Sequence, residues 1–266
     1  MQALHNILLF TDNAGIEPLL KYVPREKICA LVGAQARPQY HELLRARAAA
    51  YGIPFFIQPS AKEAEAYRQF MAALRSVQPD GILCFSYAML IHADLRALVD
   101  GRAFNVHASL LPRHRGPNPI QWALIHDDAQ TGATLHKMDE GFDSGPILDQ
   151  EAIPVGNEDT WLSLKDKVDR ATDRLLARSI PQILVGDWHE APQNESLALQ
   201  NARISPESFA IDFATMPDRT IYNLIRAQVA PLAGVYTETA QGRIRFPQFV
   251  ALNDIALLRQ RVQKGN

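Results

Sequence analysis

Cysteine is scarce: the 266 residues hold two, Cys29 and Cys84. Each lies inside an apolar segment, residues 27–32 and 81–85. Placed there, they read as small core side chains in a reducing compartment, the cytoplasm, and not as a disulfide or a metal site. An excess of charge is missing too. Lys and Arg number 27 against 29 Asp and Glu, a net charge of −2, so no global field draws a polyanion and the balance argues against nucleic acid. The basic residues cluster only as short pairs, Arg45 with Arg47, Arg243 with Arg245 and Arg259 with Arg261, which read as solvated faces. No apolar run approaches the roughly 20 residues that span a bilayer. The N-terminal run, residues 7–10, is too short and lacks the basic flank of a secretory signal. There is no internal repeat and no low-complexity tract. Residues 11–15, after the first apolar run, lack the repeated glycines of a dinucleotide fingerprint.

What is present is alternation. The composition is 47% apolar, enough to bury one good core and a smaller appendage. Continuous apolar runs at 7–10, 28–32, 53–57, 81–85 and 104–107 read as strands buried on both faces. Helical spacing lies between them at 16–22, in the stretch ending at Tyr51, and at 63–77, where Tyr67, Phe70, Met71 and Leu74 form an apolar stripe. Strands alternating with helices predict an α/β fold: a Rossmann-like, mostly parallel open sheet flanked by helices. A short helix is expected at 119–126, strands at 131–138 and 147–154, and a long amphipathic helix, without chemistry, at 161–185. The texture changes near residue 200, with an extended stretch at 203–212, a helix at 220–228 and a hairpin from 235–237 and 243–246. The expected organisation is a catalytic region, 1–200, and a small truncated C-terminal α+β appendage, 201–266. Phe246, Phe249 and the Leu257-Leu258 end could support a homodimer.

One stretch carries chemistry: Asn105-Val106-His107-Ala108-Ser109-Leu110-Leu111-Pro112-Arg113-His114-Arg115-Gly116. Asn105 and His107 stand at i and i+2 of the fifth strand, so both point to one face. An amide that donates and accepts there adjoins an imidazole that moves protons near neutral pH. Asp143 lies in a glycine-rich acidic loop, residues 138–145, and an acid returned to the imidazole would orient it. Residue types alone leave two readings open: a proton-transfer site, or a buried structural histidine with an acid in a turn. In open parallel sheets ligands bind beyond the carboxyl ends of the strands, and this pair closes its strand. Asp12 or Asn13 could cap the first helix, whose N-terminus could hold an anion; a plain strand-to-helix turn fits as well. His114 and His136 lie near in sequence, but neither shares the strand-end position and neither is given a role.

Asn105-x-His107, then Ser109-Leu110-Leu111-Pro112-x-x-Arg115-Gly116, and later Asp139-x-Gly141-x-Asp143-x-Gly145 resemble the folate-dependent formyltransferases, the family that includes methionyl-tRNA formyltransferase and the sugar N-formyltransferases. The likeness runs from about residue 5 to about 250 and is densest over 104–150. It implies N10-formyltetrahydrofolate as formyl donor, no metal, and Asn105, His107 and Asp143 as the catalytic residues. It also implies that the pterin is held, largely through backbone groups, by Tyr87, Met89, Leu90 and Ile91 and by Asp139, Glu140, Gly141 and Phe142. Asp12, Asn13, Ser109, Arg115 and Asn118 are candidate acceptor contacts, though Ser109 could simply steady the loop and Arg115 fix it. The expected acceptor is a small-molecule primary amine, a nucleotide-linked amino sugar. The alternatives are a methionyl-tRNA formyltransferase with a shortened C-terminal region, disfavoured by charge and length, a formyltetrahydrofolate hydrolase, which needs no amine, and a catalytically idle folate-binding module.

Overall fold

The computed structural model describes residues 2–246 and 248–263. Met1 and residues 264–266, at the ends of the two expected regions, lie outside them. Five strands, β1 (Ile7–Thr11), β2 (Ile28–Ala34), β3 (Phe55–Gln58), β4 (Gly81–Phe85) and β5 (Ala103–His107), are joined by β6 (Gln130–Lys137) and β7 (Ile147–Pro154) in one sheet of order β3-β2-β1-β4-β5-β6-β7. The pairs from β3 to β5 are parallel, and β6 runs antiparallel to β5. The fold is therefore the expected Rossmann-like α/β architecture. Alternate residues of β1 enter different cores. Ile7 and Leu9 join a cluster with Leu31, Phe104 and Leu175, while Leu8 and Phe10 join one with Val32, Met71 and Ile82. Opposite Cβ directions along a strand give the sheet a packed core on each face.

Helices α1 (Asn13–Tyr22), α2 (His41–Tyr51) and α3 (Ala64–Ser76) connect these strands. Asp12 caps α1, its Oδ1 accepting from the Ala14 amide at 3.1 Å, which satisfies one of the orphan donors of a helix start. The third strand begins at Phe55, not at Ile53, because the Ile53 amide donates to the Ala48 carbonyl at 3.0 Å and so belongs to the end of α2, which closes on left-handed Gly52. Two helices have no counterpart in the sequence reading: α4 (Ala93–Ala97), about a turn and a half, and α8 (Ile255–Gln263), on which Ile255 is fully buried.

By compactness the chain divides into two units that are each discontinuous in sequence. The first comprises Met1–His107, Ala133–Glu151 and Thr172–Asn194; the second comprises Ala108–Gly132, Ala152–Ala171 and Glu195–Asn266. The second unit holds α5 (Pro119–Ile125), α7 (Asp218–Ala227) and the hairpin β8 (Val235–Thr239) with β9 (Gly242–Phe246); α6 (Trp161–Val185) contributes to both units. Its apolar cores include Phe209, Ile221 and Val235, and Leu124, Leu164 and Ala227. Of the residues read as dimer contacts, Phe249 and Leu257 are exposed, whereas Phe246 and Leu258 pack half-buried on that first core.

The second unit also buries a whole guanidinium. Arg226 is 1% exposed. Its Nε donates to Asn223 Oδ1, Nη1 to the Gly156 and Asn157 carbonyls, and Nη2 to the Leu124 carbonyl and to Asp127 Oδ1 at 2.8 Å. Five N–H donors meet five acceptors, the condition under which a buried charge is tolerated.

Candidate active site

In the first unit, β5 lies between β4 and β6, with Asn105 opposite Cys84 on one side and His136 on the other. Backbone pairing thus fixes which side chains surround Asn105. Its amide nitrogen is 3.1 Å from His136 Nε2 and donates to Asp143 Oδ1 at 3.2 Å. His136 Nδ1 lies 3.0 Å from the Lys137 carbonyl. A carbonyl only accepts, so Nδ1 carries the proton and Nε2 presents its lone pair. The chain of bonds therefore turns the NH2 of Asn105, not its oxygen, toward both His136 and the Asp143 carboxylate. Asp143 Oδ2 stands 3.4 Å from His107 Nδ1, and Asp143 Oδ1 3.4 Å from His136 Nε2. Both are longer than an N–H···O hydrogen bond. Both His107 and His136 are buried; Asp143 keeps a partly exposed edge.

The acid loop is held by its own chemistry. Asp139 Oδ1 accepts from the Gly141 amide at 3.0 Å and from Ser144 Oγ at 2.8 Å, a turn that Asp favours locally. Asp143 has φ +54°, in the left-handed region that Asp tolerates better than most residues. Gly145 backs onto β6: a Cβ there would stand 1.9 Å from the Lys137 carbonyl oxygen, so no side chain fits. From the same carboxylate, Phe142 projects one residue away and is 59% exposed.

The structure brings Asn105, His107 and Asp143 together and adds His136, which sequence reasoning left without a role. The signal that could have found it is the register of an antiparallel partner strand, which no local pattern prints. Residues 86–91 leave the end of β4 without forming a helix; Ser86 has φ +53°. In that segment Tyr87 and Met89 are half-buried, Leu90 is exposed, and Ile91 is buried in the core. Burial pushes the Tyr87 phenol well above its ordinary pKa, so it stays a neutral donor. On the acid loop Asp139 is half-buried, and Glu140 and Gly141 are exposed.

The acceptor candidates sit differently. Asp12 is buried as the α1 cap and Asn13 is exposed beside it. In the second unit Ser109 is fully buried, its Oγ donating to the Arg113 carbonyl at 2.7 Å. Arg115 is buried and pairs in bidentate fashion with Glu195 at 2.6 and 2.9 Å. Asn118 precedes α5 with φ 61°, and its Oδ1 accepts from the Ile204 amide at 3.3 Å. His114 donates to Asp128 at 2.6 Å and meets Asn201 at 2.7 Å, a separate pair from the β5 group. Among the described residues no group of three or more His, Cys, Asp or Glu side chains could hold a metal ion, and no helix is long and apolar enough to cross a membrane.

A family model described as formyl transferase matches residues 19–180, more than half the chain. The chain belongs to the formyl transferase family. Solved structures share its fold. A 4-N formyltransferase from Francisella tularensis superposes with a TM-score of 0.74 at 20% identity, covering 93% of this chain and 98% of that one. An N-formyltransferase from Helicobacter canadensis, solved with folinic acid and dTDP-3-aminofucose, gives 0.66 at 19% identity over 90% and 85%. A phosphoribosylglycinamide formyltransferase from Brucella melitensis gives 0.58 at 28% identity over 72% and 100%. Membership makes formyl transfer the chemistry to be explained.

Proposed function

We propose that the protein transfers a formyl group from N10-formyltetrahydrofolate to a primary amine of a small-molecule acceptor, a nucleotide-linked amino sugar, and that Asn105, His107 and Asp143 carry the reaction. The observation behind this is that the Asp143 carboxylate, from the loop after β6, stands 3.2 Å from the Asn105 amide and 3.4 Å from the His107 imidazole at the end of β5.

The donor supplies a carbonyl carbon already activated by its ring-bearing nitrogen. Its flat ring suits the loops beside β5, where residues 86–91 and 139–142 offer backbone groups and exposed Leu90 and Phe142 offer apolar surface. The acceptor amine forms the new C–N bond as the bond to N10 breaks. Charge gathers on the formyl oxygen meanwhile, and Asn105 is the donor placed to meet it. Both amide hydrogens of Asn105 are engaged by His136 and Asp143, so one must be exchanged. The contact to Asp143 is the longer one. As His107 takes the proton that the amine must lose, the carboxylate is drawn toward the imidazolium and releases an Asn105 N–H to the formyl oxygen. One such donor contributes about 3 kcal/mol in the transition state. His107 then returns a proton to the departing N10 nitrogen, which closes the balance.

Coverage supports the acceptor class: the structure solved with dTDP-3-aminofucose covers 90% of this chain, whereas the glycinamide enzyme covers 72%. The test presents purified protein with the formyl donor and, separately, dTDP-linked 3- and 4-amino sugars, glycinamide ribonucleotide, methionyl-tRNA or buffer alone. We expect formyl amide only with an amino sugar nucleotide. Deformylation at full rate in buffer, or product with tRNA alone, would overturn the assignment.

A further inference from the structure

Two neutral side chains outside the β5 group each grip the main chain of one flanking loop, and the reaction outlined above uses neither. Gln58 ends β3 and is fully buried. Its Oε1 accepts from Tyr87 Oη at 2.8 Å, and its Nε2 donates to the Leu90 carbonyl at 3.0 Å. Strand β3 is at the sheet edge, three strand spacings from β4, about 14 Å away. The segment leaving β4 must therefore cross the carboxyl ends of the intervening strands to reach Gln58. The ring of Tyr87, packed edge-on to Phe10 of β1 with centroids 5.3 Å apart, marks that path. A fully buried amide is costly unless its ends are matched, and both matches of Gln58 fall on residues 87 and 90.

Gln193 acts on the other loop. Its Nε2 donates to the carbonyls of Asp143 at 2.8 Å and Gly145 at 2.7 Å. Both hydrogens of one amide thus straddle the turn that presents the Asp143 carboxylate. That turn has a left-handed residue at its centre, a conformation that persists only where surroundings over-determine it. Main-chain carbonyls accept from Gln193 without any charge being added near the carboxylate, so the tether leaves Asp143's own electrostatics alone.

We infer that Gln58 and Gln193 are positioning residues of the formyl-donor site. Gln58 sets the wall made by residues 86–91, and Gln193 sets the angle at which Asp143 meets β5. The inference rests on the donor reading above, yet it separates into two signatures. Loss of the Gln58 tether loosens a binding surface and raises the Michaelis constant for the donor. Loss of the Gln193 tether displaces the acid and lowers kcat.

The test uses Gln58→Met and Gln193→Met, close in length and without the amide. Steady-state constants are measured with N10-formyltetrahydrofolate, together with amide hydrogen exchange on the ligand-free protein. We expect about a tenfold rise in donor KM for Q58M with kcat within about twofold, and about a tenfold fall in kcat for Q193M, the scale of one lost tether. Exchange should quicken in residues 86–91 only for Q58M and in 139–145 only for Q193M. Tyr87→Phe, which keeps the ring against Phe10, and Gln193→Leu, which donates nothing and adds no charge near Asp143, should repeat these shifts if either first variant folds poorly. Unchanged exchange in both loops, or wild-type constants in the variants, overturns the inference. A wild-type protein inert toward the formyl donor sinks the donor reading instead, and the exchange pattern still decides the tethers.

Discussion

Two buried polar clusters, one around Asn105 in the first unit and one around Arg226 in the second, are built to opposite specifications. Around Arg226 every donor has its acceptor and the ion pair to Asp127 is 2.8 Å. Around Asn105 the contacts run from 3.1 to 3.4 Å, the carboxylate spans two imidazoles and an amide, and one edge of it is open. A saturated cluster has nothing to offer a ligand, and its energy goes into holding segments together. A loosely matched one can exchange partners during a reaction, and catalytic hydrogen bonds commonly tighten only once substrate is bound. Buried polarity therefore does not identify a functional site by itself.

Substitutions can break or sharpen this contrast. The largest effect belongs to the loose cluster: His107→Ala or Asp143→Ala should cut formyl transfer about a thousandfold while the melting midpoint stays within a few degrees of wild type. Rates near wild type would end the assignment of roles on β5. The saturated cluster should respond the other way. Arg226→Met leaves the Leu124, Gly156 and Asn157 carbonyls and Asn223 Oδ1 without their donor, while Asp127 keeps Arg219, and denaturant unfolding should show a loss of about 3 kcal/mol, with transfer by the remaining folded protein retained. A smaller effect is expected at His136. His136→Leu removes the acceptor that orients the Asn105 amide and should lower kcat about tenfold; His136→Gln, which can still accept, should recover much of it.

The smallest effect is electrostatic. The Arg219 hydrogen bond, ahead of its charge and that of Arg226, holds the Asp127 carboxyl below its ordinary pKa. The folded-state value is depressed, so this stabilisation is present above the unfolded carboxylate range near pH 4 and is lost as pH falls through the folded value. Thermal melts from pH 6 to pH 3 should decline less steeply in Asp127→Asn than in wild type. Parallel declines would show that Asp127 does not contribute to acid sensitivity.

Much of this was legible in the chain itself, for reasons that can be stated. Strands β1, β2, β4 and β5 are continuous apolar runs because parallel strands are buried on both faces, and that signal is local. The shared direction of Asn105 and His107 follows from the two-residue period of a strand. The acid loop announces itself through Asp139, Gly141, Asp143 and Gly145. What stayed hidden depends on pairing between distant segments. His136 matters because of an antiparallel register, and Gln58 because a loop crosses the sheet to reach it. Arg226 looks like any polar residue on a helix until α7 is packed. The β3 boundary slipped because Ile53 closes a helix end instead of opening a strand.

The reversal of a single strand has an engineering consequence. Because β6 descends where β5 climbs, the loop after it starts beside Phe104 and must double back to deliver its acid. Shifting that ladder by one position would turn His136 to the far side of the sheet and strand the amide of Asn105. The spacing of this polar group is thus written in main-chain hydrogen bonds. Designers who rework the outer loops of such a scaffold need to leave untouched the β5–β6 ladder and the acid loop that it launches.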